Sequence, residues 1–88
     1  MKFEFDSSKS IINAAKDGIS LDEATALCKS PAVEVRAKTV DEERWMLIGK
    51  IQNKFYSCIF TYRGDVVRLI SARRSRKSEE AIYNDYVQ

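Results

Sequence analysis

Six of the fifteen lysines and arginines in this chain fall between positions 63 and 77: Arg63, Arg68, Arg73, Arg74, Arg76 and Lys77. Only one acid, Asp65, lies among them, so the segment carries +5 and the remainder −3, for a net charge of +2. A guanidinium stays charged, and its planar fork pairs with two oxygens at once, which suits phosphate groups. Charge gathered this way is the footprint of a polyanion site. A solvated basic edge is the alternative that composition leaves open. The chain has no histidine. Its two cysteines, Cys28 and Cys58, cannot make up a four-ligand zinc site, and a thiol nucleophile would lack its imidazole base. Chemistry here must run on Arg, Lys, Glu, Asp, Tyr or Ser.

The 88 residues suit a single domain spanning positions 1–88. With 44% hydrophobic and 32% charged residues the chain has a globular balance. No apolar run is long enough to span a membrane. The opening Met1-Lys2-Phe3-Glu4-Phe5-Asp6 lacks the apolar stretch of a signal peptide, so a cytoplasmic location is expected. In that reducing compartment Cys28 and Cys58 are expected to be small core residues.

The elements that must hold the arginines follow from periodicity. Phe3 and Phe5 alternate with Lys2 and Glu4, as in a short strand. Asp6, Ser7 and Ser8 offer N-caps for a helix with Ile11, Ile12, Ala14 and Ala15 as its apolar face and Gly18 as its stop. Ser20-Leu21-Asp22-Glu23 has the form of a capping box, opening a second short helix that ends by Pro31. The period then becomes two. Val33, Val35 and Ala37 alternate with polar residues, and residues 45–51 suit a strand buried on both faces. Residues 55–62 and 66–70 complete two hairpins and an antiparallel meander. Arg63-Gly64-Asp65 is better explained as a hairpin turn than as an adhesion motif. Residues 71–77 read as a basic loop. The last helix, about 75–86, would be capped by Ser75 or Ser78 and turn Ile82, Tyr83 and Tyr86 to the sheet, with Glu79 and Glu80 at its positive end. The expected fold is α+β: an antiparallel sheet with two N-terminal helices and one C-terminal helix.

Several motifs, in order and at matching separations, resemble the BrnT family of toxins. They are Phe3-Glu4-Phe5-Asp6, Lys9, Asn13, residues 16–24 (Lys-Asp-Gly-Ile-Ser-Leu-Asp-Glu-Ala), Glu43-Arg44, Gly49 and Tyr62-Arg63. The strongest is Arg68-Leu69-Ile70-Ser71-Ala72-Arg73, followed by Glu79 or Glu80 and Tyr83. The resemblance implies a RelE-like fold and the toxin half of a type II toxin–antitoxin pair. It implies RNA cleavage that stops translation and neutralisation by a BrnA-like ribbon-helix-helix antitoxin. Operator DNA would be bound only through the toxin–antitoxin complex. The chain departs from the family at Asp17, where a histidine is usual.

Cleaving RNA without metal or cofactor requires deprotonating a 2′-OH, stabilising the phosphorane charge and releasing the 5′-oxygen. On this basis Arg68 and Arg73 are the expected phosphate clamps, supported by Arg63 and Arg44. Glu43, Glu80, Tyr83 or a lysine of lowered pKa are the candidate bases, and none leads. Arg74, Lys16, Arg76, Lys77 and Tyr83 are the expected RNA contacts. A catalytically weak homologue acting as binding module and co-repressor is the alternative that Asp17 motivates. A general interaction domain is a third.

Overall fold

The computed structural model describes residues 2–29, 31–37 and 43–87. A short strand, β1 (Lys2–Glu4), leads into helices α1 (Ser7–Asp17) and α2 (Leu21–Ala24), the latter running into a 3-10 turn (Thr25–Lys29). Then come β2 (Ala32–Ala37), β3 (Arg44–Ile51), β4 (Lys54–Arg63) and β5 (Val66–Arg74), and finally α3 (Lys77–Tyr86). Strands β2 to β5 form the expected antiparallel meander. The N-terminal strand adds to the free edge of β5 in parallel, giving a five-stranded mixed sheet of order β1-β5-β4-β3-β2. β1 has no hairpin partner of its own. It docks where Phe3, opposite Val67, can enter the same apolar core.

Local chemistry sets most boundaries. The Asp6 carboxylate accepts from the Ser8 and Lys9 N–H groups at 2.8 and 3.1 Å, and Gly18 closes α1 in the left-handed conformation at φ 75°. Ser20 and Glu23 exchange reciprocal hydrogen bonds of 2.9 and 3.0 Å, the capping box that their spacing announced. Gln52 and Asn53 both take positive φ (51° and 66°), the backbone of a tight turn whose twist matches that of β3 and β4. Arg63 and Val66 pair across Gly64-Asp65, so the Arg-Gly-Asp triplet is a hairpin turn.

The sheet has two covered faces. On one, Leu21, Ala24 and Leu27 pack with Ile19 against Cys58, Phe60, Val67, Leu69 and Ala72. Gly49 is closely packed there: a Cβ would lie 3.1 Å from Leu27 Cδ2 and 3.2 Å from Ala32 Cβ, so both neighbours would have to give by a few tenths of an ångström. On the other face, Tyr83 and Ile82 of α3 pack on Val33, Val35, Met46, Ile48 and Phe55. Tyr86, expected to join them, is 75% exposed.

Helix α1 inverts its expected amphipathicity. Ile11 and Ile12 face outward at 72% and 62% exposure, while Ser10 and Asn13 are buried. Backbone groups at the edge of β5 and at the start of α2 need partners, and these two side chains supply them. The Asn13 amide donates to the Ile19 and Ala72 carbonyls at 2.7 Å each and accepts from the Ala72 N–H at 3.2 Å. Ser10 Oγ accepts from the Leu21 N–H at 3.0 Å. No described helix is long and apolar enough to cross a membrane.

Candidate nucleic-acid interface

Residues 71–74, expected in a loop, continue β5. The strand reaches Arg74 because it carries a β-bulge: Leu69 pairs with Phe60 and Ser71 with Ile59, leaving Ile70 as the extra residue. A one-residue slip moves every later side chain to the other face of a sheet. Arg68 and Arg73 are five positions apart and would face opposite ways in a regular strand. The bulge brings both to the face that carries α3, opposite Thr61 and Ser57 respectively.

Around Thr61 the register lines up a row across the sheet. Thr61 pairs with Arg68, and Arg68 with Glu4 on β1. Trp45 opposite Phe60 puts Arg44 next to Thr61 on the other side, and the Thr61 hydroxyl donates to the Glu43 carbonyl at 2.8 Å. Arg63, two positions along β4 from Thr61, shares this face and is exposed. Arg44, Arg63 and Arg68 therefore rise from three neighbouring strands, about 5 Å apart, around one threonine. Arg68 meets the Glu4 carboxylate at 3.4 Å, with both side chains partly exposed. Arg68 carries its charge over a face where α3 packs on β2 and β3.

Arg73 stands about 13 Å away, four residues up the sheet, and is held differently. Its Nη1 and Nη2 each donate at 2.8 Å to the two carboxylate oxygens of Glu79, whose side chain is 8% exposed. Glu79 also accepts from Ser57 Oγ and from the Arg76 N–H, both at 2.9 Å, and Ser57 is bonded in turn to Ser75 Oγ at 2.7 Å. The Arg73 bonds, aided by those two donors and opposed by burial, hold the Glu79 carboxyl at about 2. The pairing with Glu79 raises Arg73 further above its ordinary value. Glu79 back-bonds the Arg76 N–H, so Arg76 is the N-cap of α3 in place of Ser75 or Ser78. Ser75 instead extends the sheet, its N–H donating to the Phe55 carbonyl at 3.0 Å.

A cleft of about 330 Å³ separates α1 from the upper part of β5, lined in part by Lys9, Ile12, Lys16, Asp17, Ser71 and Arg73. Lys16 and Asp17 thus share a cavity with Arg73, and the Asp17 carboxylate adds to the field that favours the charged guanidinium.

The remaining candidates are dispersed. The Glu43 carboxylate binds Arg36 at 2.7 Å, and Arg36 lies over the Trp45 ring at 5.9 Å, so that acid points away from Arg68. Tyr83 is 8% exposed and edge-on to Phe55 at 5.3 Å between centroids, a core residue with no face for a base. Arg74 turns to the α2 face over Tyr56, while Arg76 and Lys77 are exposed at the start of α3. Cys58 is buried, which pushes its thiol up to about 12, and Cys28 is raised for the same reason. Sequence reasoning missed the Glu79 pair, the Thr61 row, and the place of Lys9 in the cleft. A glutamate three residues into a helix that follows a strand-end arginine was the one available signal for the pair.

A search of curated proteins finds none that matches the chain. A family model described as the ribonuclease toxin BrnT of type II toxin–antitoxin systems matches residues 5–79. That stretch takes in the Asn13 clasp, the capping box, the bulged β5 with Arg68 and Arg73, and Glu79, and the chain belongs to the BrnT family of type II ribonuclease toxins.

Proposed function

We propose that this protein is a metal-independent endoribonuclease that inhibits translation and is neutralised by a BrnA-like ribbon-helix-helix antitoxin. The observation that carries the reading is the row Arg44–Thr61–Arg68, with Arg63 beside it, on the α3 face of the sheet. Three arginines on neighbouring strands around Thr61 supply the charge and the planar forks that a phosphorane's equatorial oxygens require. They are also the wrong sign to hold a metal ion. Arg68 is the principal clamp, and Arg44 and Arg63 support it. Arg73, fixed by Glu79, marks the upper margin of the site and lines the cleft that also holds Lys16. The spacing of about 13 Å gives Arg68 and Arg73 separate phosphates, about four stacked nucleotides apart at roughly 3.4 Å each. Catalysis by positioning and charge, without a strong base, makes a slow enzyme.

The antitoxin follows from the family and from the exposed cations, which acidic side chains of a partner can block. In this reading the toxin acts in the cytoplasm, and the complex, not the toxin alone, binds operator DNA and represses its own operon. The test is to incubate purified protein with RNA in the presence of a chelator. Cleavage that persists, leaves 2′,3′-cyclic phosphate ends and disappears in Arg68→Ala is the expected result. Intact RNA together with normal growth of cells overexpressing the protein overturns it.

One observation favours a second reading. The Asp17 carboxylate stands in the cleft beside Arg73, where its charge opposes phosphate. In that case the chain is a weak or inactive homologue serving as co-repressor. Operator binding by the complex would then survive Arg68→Ala, and the wild type would not slow growth.

A further inference from the structure

The hairpin end of the sheet gathers a second group of cations from two segments of the chain, Lys50 on the α3 side of the rim and Lys54 and Arg74 on the α2 side. Lys50 and Lys54 flank the β3–β4 turn, paired with Phe55 and Ile51. Arg74 lies opposite Tyr56 at the end of β5, and the Ser75 bond to Phe55 brings Arg76 and Lys77 to the same rim. All five are exposed, and none has an ion-pair partner among the described residues. Of the two acids that open α3, Glu79 is buried in its pair with Arg73 and Glu80 is a single half-buried carboxylate. Lys50 Nζ sits 4.9 Å from the Phe55 ring centre and the Arg74 guanidinium 5.6 Å from that of Tyr56, so two of the cations are steadied on aromatic faces.

We propose that this rim, Lys50, Lys54, Arg74, Arg76 and Lys77, is a docking surface for the phosphate backbone of RNA, separate from the cleavage row. The inference rests on the ribonuclease reading for its ligand but not for its geometry. On the face that carries Arg68, Phe55, paired with Lys50, and Thr61 are six residues apart on β4, about 20 Å along the strand. At roughly 3.4 Å per stacked nucleotide, one strand of RNA needs about six steps to touch both the rim and Arg68. Binding energy from a part of the substrate that does not react is thereby available to position the part that does. Substrates of two or three nucleotides should be cut far less efficiently than those of about ten.

The test is anisotropy with a labelled 2′-O-methyl RNA of about 20 nucleotides, which lacks the attacking hydroxyl and remains whole. The paired variants Lys50→Gln/Lys54→Gln and Arg76→Gln/Lys77→Gln remove exposed charges, and their melting curves check folding. Each pair should weaken binding about tenfold near 0.1 M salt and flatten the slope of log K against log salt by about 1.4. Lys2→Gln, at the opposite end of the sheet, should leave the slope unaltered. Slopes for both pairs that match the wild type overturn the surface, as does a wild type that binds the probe without salt dependence. If the wild type binds with the expected slope yet cleaves no RNA, the docking surface stands and the cleavage proposal fails. If the wild type cleaves and both pairs bind and cleave as it does, the docking surface alone fails.

Discussion

The two ends of β5 hold an arginine in contrasting ways. Arg73 is locked: both of its terminal nitrogens bond a buried carboxylate that has two further donors of its own. Among the described residues, Arg68 has one ion-pair contact, at 3.4 Å, to a carboxylate that is itself 39% exposed. A charge held by a dense, shielded network costs a great deal to disturb and contributes to the architecture. A charge held loosely over an accessible face retains most of its field for a ligand. Arg73–Glu79 thus belongs to the architecture of the upper sheet, and Arg68 is the arginine proposed for the chemistry, although both belong to one motif.

The largest expected effect is on activity at the lower end. Arg68→Ala should reduce RNA cleavage about 10²- to 10³-fold while stability falls by less than about 1 kcal/mol, as read from single-turnover rates and thermal melts. A large loss of stability with little change in rate would reverse the two roles.

At the upper end the order of effects should invert. Glu79→Ala leaves Arg73 and Ser57 without their acceptor and should cost about 3 kcal/mol, visible as a melting point lower by 10 °C or more. The pH dependence follows from the same pair. The Glu79 carboxyl is depressed to about 2 from an ordinary 4.5, so its stabilisation is present above pH 4.5 and is lost as pH falls from there toward 2. Acid titration of Glu79→Gln should lack that part of the stability loss. An unchanged acid profile would mean the carboxylate is not the buried partner of Arg73.

Replacing the carboxylate in the cleft probes how far the two ends cooperate. Asp17→His removes a negative charge beside Arg73 and adds a group that titrates near 6.5. Cleavage should rise about tenfold, with a new pH dependence in that range. No gain would detach the cleft from the chemistry. The smallest effect is expected at the partner of Arg68. Glu4→Gln releases that guanidinium and should tighten RNA binding about twofold, a change that vanishes at high salt.

Much of the fold was legible because its signals are local. Asp6, Gly18, the Ser20–Glu23 box and the two hairpin turns act within a few residues of themselves, so their spacing was enough to mark the element ends. The alternation through β2 to β4 likewise reported which residues face the cores. The expectation for α1 misled because Ile11 and Ile12 look like a buried face. Only the edge of β5 and the start of α2, distant in the chain, explain why Ser10 and Asn13 are buried instead.

The amino-acid order by itself determined the sequence of strands and helices, the capping and turn chemistry, and the concentration of positive charge near the C-terminus. The tertiary structure decided which arginines share a face. That outcome depends on a bulge at Ile70, which arises from the pairing of β4 with β5 and reverses the side-chain alternation beyond it. It also decided that Arg68 would meet Glu4, from the other end of the chain, since β1 must dock in parallel on β5 before that pair can form. Contacts of that kind are fixed by long-range packing, which no short window of sequence encodes.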